Sequence, residues 1–393
     1  MKITKVDVML VDVNPTDNPG WEPIVCRVYT DSGIYGDGEA ALAYGRASRA
    51  AFGMIQDLAG LIIGMDPLDN EVIWEKLYKS TFWGQNGGPV VFAGISALDI
   101  ALWDIKGKFF NVPVYKLLGG KMRNKLRCYA SQLQFGWGDK KTPAYSVEDY
   151  VANARKAVAE GYDAIKIDFF TFAPDGHRFC SEETTRVQRP EVVNMIRERI
   201  AAVREAVGPD VDIIMENHSF IDAQTAVQLG TMAEQYNILF FEEPTTPNPW
   251  VNKFVGDRVC IPIAQGERIY SRWGYLPYFN DGSIQLIQPD IGNCGGLTEA
   301  KKICDLAHIY DVGVQAHVCA SPLSTAVALQ LEAAIPNFTI HEHHVYNRYA
   351  YNKQMCIYDY QPENGYITVP DRPGLGNELS EFCFTHSKLV TIA

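Results

Sequence analysis

The sequence predicts an α/β protein in which a parallel (β/α) barrel follows a separate α+β unit. Three observations carry that expectation. The chain has 393 residues, too many for one ordinary core and enough for a barrel of roughly 250 residues plus a second unit. From about residue 126, strand-like runs alternate with amphipathic helical stretches in eight steps. Ionisable residues recur near the ends of those runs at almost constant spacing.

The first unit, residues 1–125, opens with strand-like stretches at 2–13 and 23–31. The glycines of Gly33-Ile34-Tyr35-Gly36-Asp37-Gly38 read as a turn into another short strand. Helical stretches follow near 47–63, 67–79 and 90–109; in the last, Ile95, Leu98, Leu102 and Ile105 form a core-facing stripe. The barrel, residues 126–345, has strand candidates at 126–131, 163–169, 211–216, 238–242, 261–266, 284–288, 313–317 and 338–341. Amphipathic helices lie between them at 147–160, 189–207, 222–235 and 297–310. A doubly wound open sheet is the competing fold, but no GxGxxG or GxxxxGK[ST] follows an early strand. The tail, 346–393, carries a Gly374-Leu375-Gly376 turn and is expected to return to the first unit.

Composition narrows the function. Apolar residues make up 47% and charged residues 21%, a globular balance. A net charge of −12 argues against a nucleic-acid partner, because phosphate binding needs a basic face. It does not oppose a small acidic substrate, since a bound metal can reverse the local field. No uninterrupted apolar run is long enough for a membrane span, and the N-terminus lacks a signal-peptide pattern. Nine scattered cysteines without CxxC spacing fit a reducing cytoplasm better than a disulfide framework or a structural zinc site.

The chemistry is carried by a row of polar residues. Lys166 and Asp168 end one strand; Glu216 and His218 the next; then come Glu242, Glu267, Asp290, His317 and Glu342. From Glu216 onward the steps are 26, 25, 23, 27 and 25 residues by subtraction of those numbers, close to one strand–helix unit each. In a barrel this period puts every one of them on the C-terminal rim, where catalytic groups gather. A single charged residue at a strand end is usually a cap or solvated; six in register would repel without a cation. Three glutamates from adjacent strands suit magnesium, and the absence of a nearby thiolate disfavours zinc. Glu243 rivals Glu242 as the inward ligand. His317 with Asp290 on a neighbouring strand end reads as a base held in one tautomer. His218, two residues after Glu216, reads as an acid beside the metal. Lys166 reads either as a group that neutralises a substrate carboxylate or as a salt-bridge partner. His341, His343 and His344 either line the pocket or pack, and His177 lies in a long loop at about 170–188.

These residues resemble the mandelate racemase branch of the enolase superfamily, and within it the acid-sugar dehydratases similar to galactonate dehydratase. The resemblance spans nearly the whole chain through SALDIALWDIKGK with PVYKLLGG, AIKID, FEEP, GER, QPDIGNCGGLTE and the final PGLG. It implies a modified (β/α)-barrel with an N-terminal capping domain and Mg2+ held by Glu216, Glu242 and Glu267. It implies His317 as base backed by Asp290, His218 as the acid that protonates the departing hydroxyl, and Glu342 hydrogen-bonded to the enediolate. Cap loops near 15–21 and 80–89 would shape the pocket, with Trp21, Trp83 and Asn86 as specificity residues and Asp168 a further substrate contact. The family commonly assembles into homo-oligomers. Racemases of this branch carry Lys-x-Lys where this chain has Lys166-Ile167-Asp168, so a second lysine base is missing. The expected reaction is therefore dehydration of an acid sugar, such as galactonate, to a 2-keto-3-deoxy acid. An epimerase using Asp168 or Lys166 opposite His317 is the nearer alternative, and a sugar-acid sensor with vestigial catalysis the other.

Overall fold

The computed structural model describes residues 1–13, 20–82, 84–85 and 87–393. The chain opens with an antiparallel sheet of β1 (Ile3–Val11), β2 (Ile24–Thr30) and β3 (Tyr35–Ala40). Helices α1 (Ser48–Ile62), α2 (Asn70–Ser80) and α3 (Pro89–Phe109) complete this cap. Ile95, Leu98, Leu102 and Ile105 of α3 are all buried in one cluster with Val6, Val8 and Ile24 of the sheet. Gly36 and Gly38 let β3 approach α3: a Cβ there would come within 2.0 Å of the Ala101 carbonyl oxygen and 1.8 Å of that of Ala97.

The expected barrel follows. Its strands are β4 (Lys125–Ser131), β5 (Ala164–Ile167), β6 (Asp212–Glu216), β7 (Ile238–Glu242), β8 (Ile263–Gln265), β9 (Leu286–Ile287), β10 (Gly313–Val314) and β11 (His341–His344). Each pairs in parallel with the next from β4 to β10, and β11 lies parallel to β4. A bridge between Val314 and Phe338 links β10 to the segment entering β11, so the sheet curls round on itself. Tyr129, Ala164, Ile214, Phe240, Ala264, Leu286 and Ile340 form a separate buried cluster inside it. Two residues onward on the same strands, where alternation brings the chain back to the same face, stand Ser131, Lys166, Glu216, Glu242, Gly266, Gln288 and Glu342. The barrel interior is thus an apolar layer topped by a polar one.

Two differences from the sequence expectation have physical causes. The last barrel strand is His341–His344, not 338–341, because its histidines are buried with polar partners. His341 Nδ1 lies 2.6 Å from Glu332 Oε2, and His343 Nδ1 lies 2.5 Å from the Tyr162 hydroxyl. The tail serves both units: β12 (Tyr366–Thr368) pairs antiparallel with β4, whereas β13 (Ser387–Ile392) pairs antiparallel with β1. The helix Pro322–Ala334 is buried on almost every side, so it shows no polar face from which to read a period. Among the described residues, no helix is long and apolar enough to cross a membrane.

Candidate active site

At the polar layer, Glu216 and Glu242 close their strands and Glu267 lies two residues past β8. Each offers a carboxylate oxygen, and the three oxygens lie within 4.8 Å of one another. Glu242 Oε2 is buried and makes no hydrogen bond, and Glu216 Oε1 is likewise unsatisfied, with His218 Nε2 at 3.2 Å. Hard carboxylate oxygens, converging and in Glu216 and Glu242 leaving one oxygen without a hydrogen bond, fit a divalent cation. Glu243 points elsewhere: its backbone is left-handed (φ 45°), and its carboxylate meets Arg268. The choice between the two neighbouring glutamates is thereby made in favour of Glu242.

Lys166 lies beneath this cluster, fully buried, with Nζ 2.6 Å from Glu242, 3.0 Å from Glu342 and 3.5 Å from Glu216. Burial penalises its ammonium, but the three carboxylates more than offset this and hold its pKa well above the ordinary lysine value. Burial pushes the Glu242 carboxyl up to about 8 despite Lys166. In this structure Lys166 balances the enzyme's own carboxylates. Glu342 is similarly occupied. It accepts from Ser131 Oγ at 2.6 Å and from the Val318 amide at 2.9 Å, and pairs with Lys166. Against the penalty of burial, Lys166 holds its pKa well below the usual carboxylate range. These partners fix the Glu342 carboxylate at the floor of the site.

Two histidines flank the cluster, each on an aspartate. His317 follows β10, with Nδ1 2.7 Å from Asp290 Oδ2 and Nε2 3.0 Å from Glu267 Oε2. Burial alone would lower its pKa; Glu267 and Asp290 raise it well above the ordinary value. His218 follows β6, with Nδ1 2.8 Å from Asp168 Oδ2. Its pKa is raised too, Glu216 and Asp168 outweighing burial. His218 does not reach the cluster by strand alternation. The strand ends at Glu216, and His218 and Ser219 are both left-handed (φ 47° and 59°), a strained turn pinned by the Ser219 amide donating to the Glu243 carbonyl at 2.9 Å. Asp168, expected as a substrate contact or second base, uses both oxygens internally: Oδ1 accepts from the Phe170 amide at 2.9 Å while Oδ2 holds His218.

A cavity of about 290 Å³ opens above the cluster, bordered by Glu267, His317 and His218 on its polar side. Gln132, unanticipated from sequence, also borders it; left-handed just after β4 (φ 70°), it donates to Glu216 Oε2 at 2.6 Å. It obeys the same rule as the other site residues, a polar side chain at a barrel strand's C-terminal end. The cap contributes Ala41, Leu42, Tyr44 and Pro89, and the 170–188 loop contributes Arg178. That loop is tied down by buried Arg199, which donates to the Phe169 and Phe172 carbonyls at 2.8 and 2.7 Å. His177 instead faces Asp175 and Glu183 on the surface. His344 lines the cavity, whereas His341 and His343 are packed. Trp21 is buried edge-on against Tyr346, ring centroids 4.7 Å apart; Tyr346 lines the cavity and Trp21 supports it. Trp83 and Asn86 lie outside the described residues.

A carboxylate triad and two histidines at the C-terminal mouth of a capped barrel define an enzyme that works on a small molecule beside a metal. The chain belongs to the mandelate racemase/muconate lactonizing enzyme branch of the enolase superfamily. Residues 149–382 match the family described as Enolase C-terminal domain-like, and residues 21–119 match the Mandelate racemase / muconate lactonizing enzyme N-terminal domain. The chain is 34% identical to a D-xylonate dehydratase of Haloferax volcanii over 95% of its own length and 87% of the relative's. It is 32% identical to a D-galactonate dehydratase of Pectobacterium atrosepticum, covering 97% and 93%. Among solved structures it resembles an enolase-superfamily member from Salmonella Typhimurium (51% identity, TM-score 0.96, 100% of both chains). It also resembles the 3,6-anhydro-D-galactonate cycloisomerase from Zobellia galactanivorans (27%, TM-score 0.82, 99% of this chain and 100% of that one). The protein is an enzyme related to lyases that dehydrate sugar acids.

Proposed function

We propose that the protein is a magnesium-dependent acid-sugar dehydratase, a carbon–oxygen lyase whose favoured substrate is an aldonate such as galactonate. The observation that carries this reading is the pair of histidines, just past β6 and β10, facing one cavity beside the triad. One abstracts a proton and the other delivers one. Magnesium, held by Glu216, Glu242 and Glu267, would supply counter-charge for the enediolate that proton loss creates.

His317 Nε2 takes the proton from the carbon beside the substrate carboxylate, and the C–H electron pair passes toward the carboxylate. The C3–O bond then breaks as His218 gives its Nε2 proton to the departing hydroxyl, which leaves as water. A C2=C3 double bond forms, and the resulting enol tautomerises to the 2-keto-3-deoxy acid. Along the rest of the cavity, aromatic faces of Phe135, Phe220 and Tyr346 suit the C–H faces of a polyol. His344 accepts from the Tyr346 amide at Nδ1 (3.1 Å), and burial brings its pKa down to about 3. Its neutral ring therefore carries the proton on Nε2, free to donate to a substrate hydroxyl. Arg178 offers a further donor. The unpaired cysteines suit a reducing cytoplasm.

The test is a panel of aldonic and aldaric acids incubated with the enzyme and magnesium, with 2-keto-3-deoxy products detected. Product from at least one aldonate, lost on chelation, is expected. Tight binding without product across the panel would overturn the dehydratase in favour of a sensor, and α-proton exchange without keto acid would point to an epimerase.

A further inference from the structure

We propose that Asp168 is a positioning residue for the acid: by clamping His218 it commits the reaction to loss of the hydroxyl after the proton has been taken. The inference rests on the dehydratase reading and on a geometric likeness between two parts of the site. Asp290 lies between β9 and the helix Gly296–Ile309. Its Oδ1 accepts from the amide two residues on, Gly292 N, at 2.8 Å, and its Oδ2 holds His317 Nδ1 at 2.7 Å. Asp168, just past β5, repeats the pattern. Its Oδ1 accepts from Phe170 N at 2.9 Å, and its Oδ2 holds His218 Nδ1 at 2.8 Å. Each aspartate is buried. In both, the turn amide locks the carboxylate and the carboxylate locks the ring, so Nδ1 bears a proton and Nε2 is the working nitrogen.

The backbone supplies a reason why His218 needs such a clamp. It sits in a left-handed turn beyond the strand end, and its ring is one-fifth exposed toward the cavity. Besides Asp168, its ring meets Glu216 Oε1 at 3.2 Å and Gln132 Nε2 at 3.3 Å, both at the same Nε2 that must face the substrate. Asp168 is the partner that constrains the opposite nitrogen. Held as it is, it cannot approach a substrate carbon, yet it directs the side chain that can.

The experiment separates the two halves of the reaction. With an acid sugar that the wild type dehydrates, in D2O with magnesium, keto-acid formation and deuterium uptake at the α-carbon of remaining substrate are followed together. Asp168→Ala should lose dehydration by about 10²-fold or more, the scale of one acid–base group. The loss should fall on kcat with KM changed only a few-fold, while α-proton exchange persists because His317 and Asp290 are untouched. Exchange and dehydration falling together, or neither falling, would overturn the proposal. An arm that needs no turnover uses protein with 15N-labelled histidine. A downfield Nδ1–H resonance should vanish in Asp168→Ala and in His218→Gln but survive in His317→Asn. If no such resonance depends on Asp168, the clamp does not exist. If the resonance behaves as expected but no acid sugar is dehydrated, the clamp stands and the proposed reaction falls.

Discussion

Replacing Lys166 with Met tests the charge balance on which the site is built. The methionine matches the lysine stem in length and leaves the surrounding apolar packing largely intact, so the perturbation is mainly electrostatic. Three buried carboxylates, at 2.6, 3.0 and 3.5 Å from the ammonium, lose their common partner. Breaking one buried ion pair by removing a partner costs about 3–5 kcal/mol. The extra carboxylates do not multiply that figure, because Glu242, already pushed up to about 8, can neutralise itself by keeping a proton. The expected loss at pH 8 in chelator is therefore about 3–5 kcal/mol, the single-pair value. The sign with pH follows from the same carboxyl. A raised folded-state pKa gives stability that is present at low pH and lost as pH rises through about 8. Without Lys166 that carboxyl's pKa rises further, so near pH 8 the wild type begins to stop losing stability while the variant does not. The variant's deficit should accordingly be larger at pH 8 than at pH 6, and magnesium should recover part of it. Urea unfolding followed by tryptophan fluorescence, at both pH values and with and without magnesium, measures all three. A deficit under about 1 kcal/mol at pH 8, the scale of an exposed pair, or one indifferent to magnesium, would refute the reasoning.

His317→Asn should abolish both keto-acid formation and α-proton exchange while magnesium still binds, as calorimetry would read; full activity would remove His317 from the role of base. Magnesium affinity should rise with pH toward about 8, since Glu242 and the raised His317 must release protons for the triad to accept a cation. Calorimetry in buffers of different ionisation enthalpy should show that proton release. Arg178→Met should raise KM for a sugar acid by about tenfold, the weight of one hydrogen bond to a charged group, with kcat little changed; an unchanged KM would place the guanidinium outside the substrate's reach.

The barrel was legible because alternation is local. Each strand carries its apolar residue, then two positions later its polar one, and neither needs knowledge of a partner. The carboxylate triad followed from the same period, which survives even though Glu267, Asp290 and His317 stand two or three residues past their strands. What escaped was pairing across the barrel. Asp168 and His218 lie fifty positions apart, and nothing in AIKID distinguishes a carboxylate aimed at substrate from one aimed at a neighbouring loop. For Lys166 the sequence leaves a substrate contact and a salt bridge both open, since its position on a strand does not reveal that three glutamates surround it. The last strand reads from sequence as 338–341 rather than His341–His344 because hydropathy reads a run of histidines as exposed, whereas Glu332 and Tyr162 satisfy two of them inside the protein. The left-handed turns at Gln132 and His218 use ordinary side chains rather than glycine, so no residue type announced them.

Those turns bear on why one scaffold supports different reactions. The apolar layer and the carboxylate layer come from regular strands, and strands tolerate little variation where both faces are buried. A cycloisomerase at TM-score 0.82 shares the fold, so the fold alone does not choose the reaction. The choice falls to groups just beyond the strand ends, where the backbone escapes the ladder and can re-aim a side chain. His218 is such a group, and its left-handed backbone gives it a direction that alternation would not. A flexible donor there would spend most of its time misaligned, and positional error of an ångström is costly to proton transfer. Asp168, anchored by the Phe170 amide, answers that need with a residue whose own strand is part of the rigid barrel. On the proposed reaction, the outcome is therefore set by a contact between the end of one strand and the turn after the next.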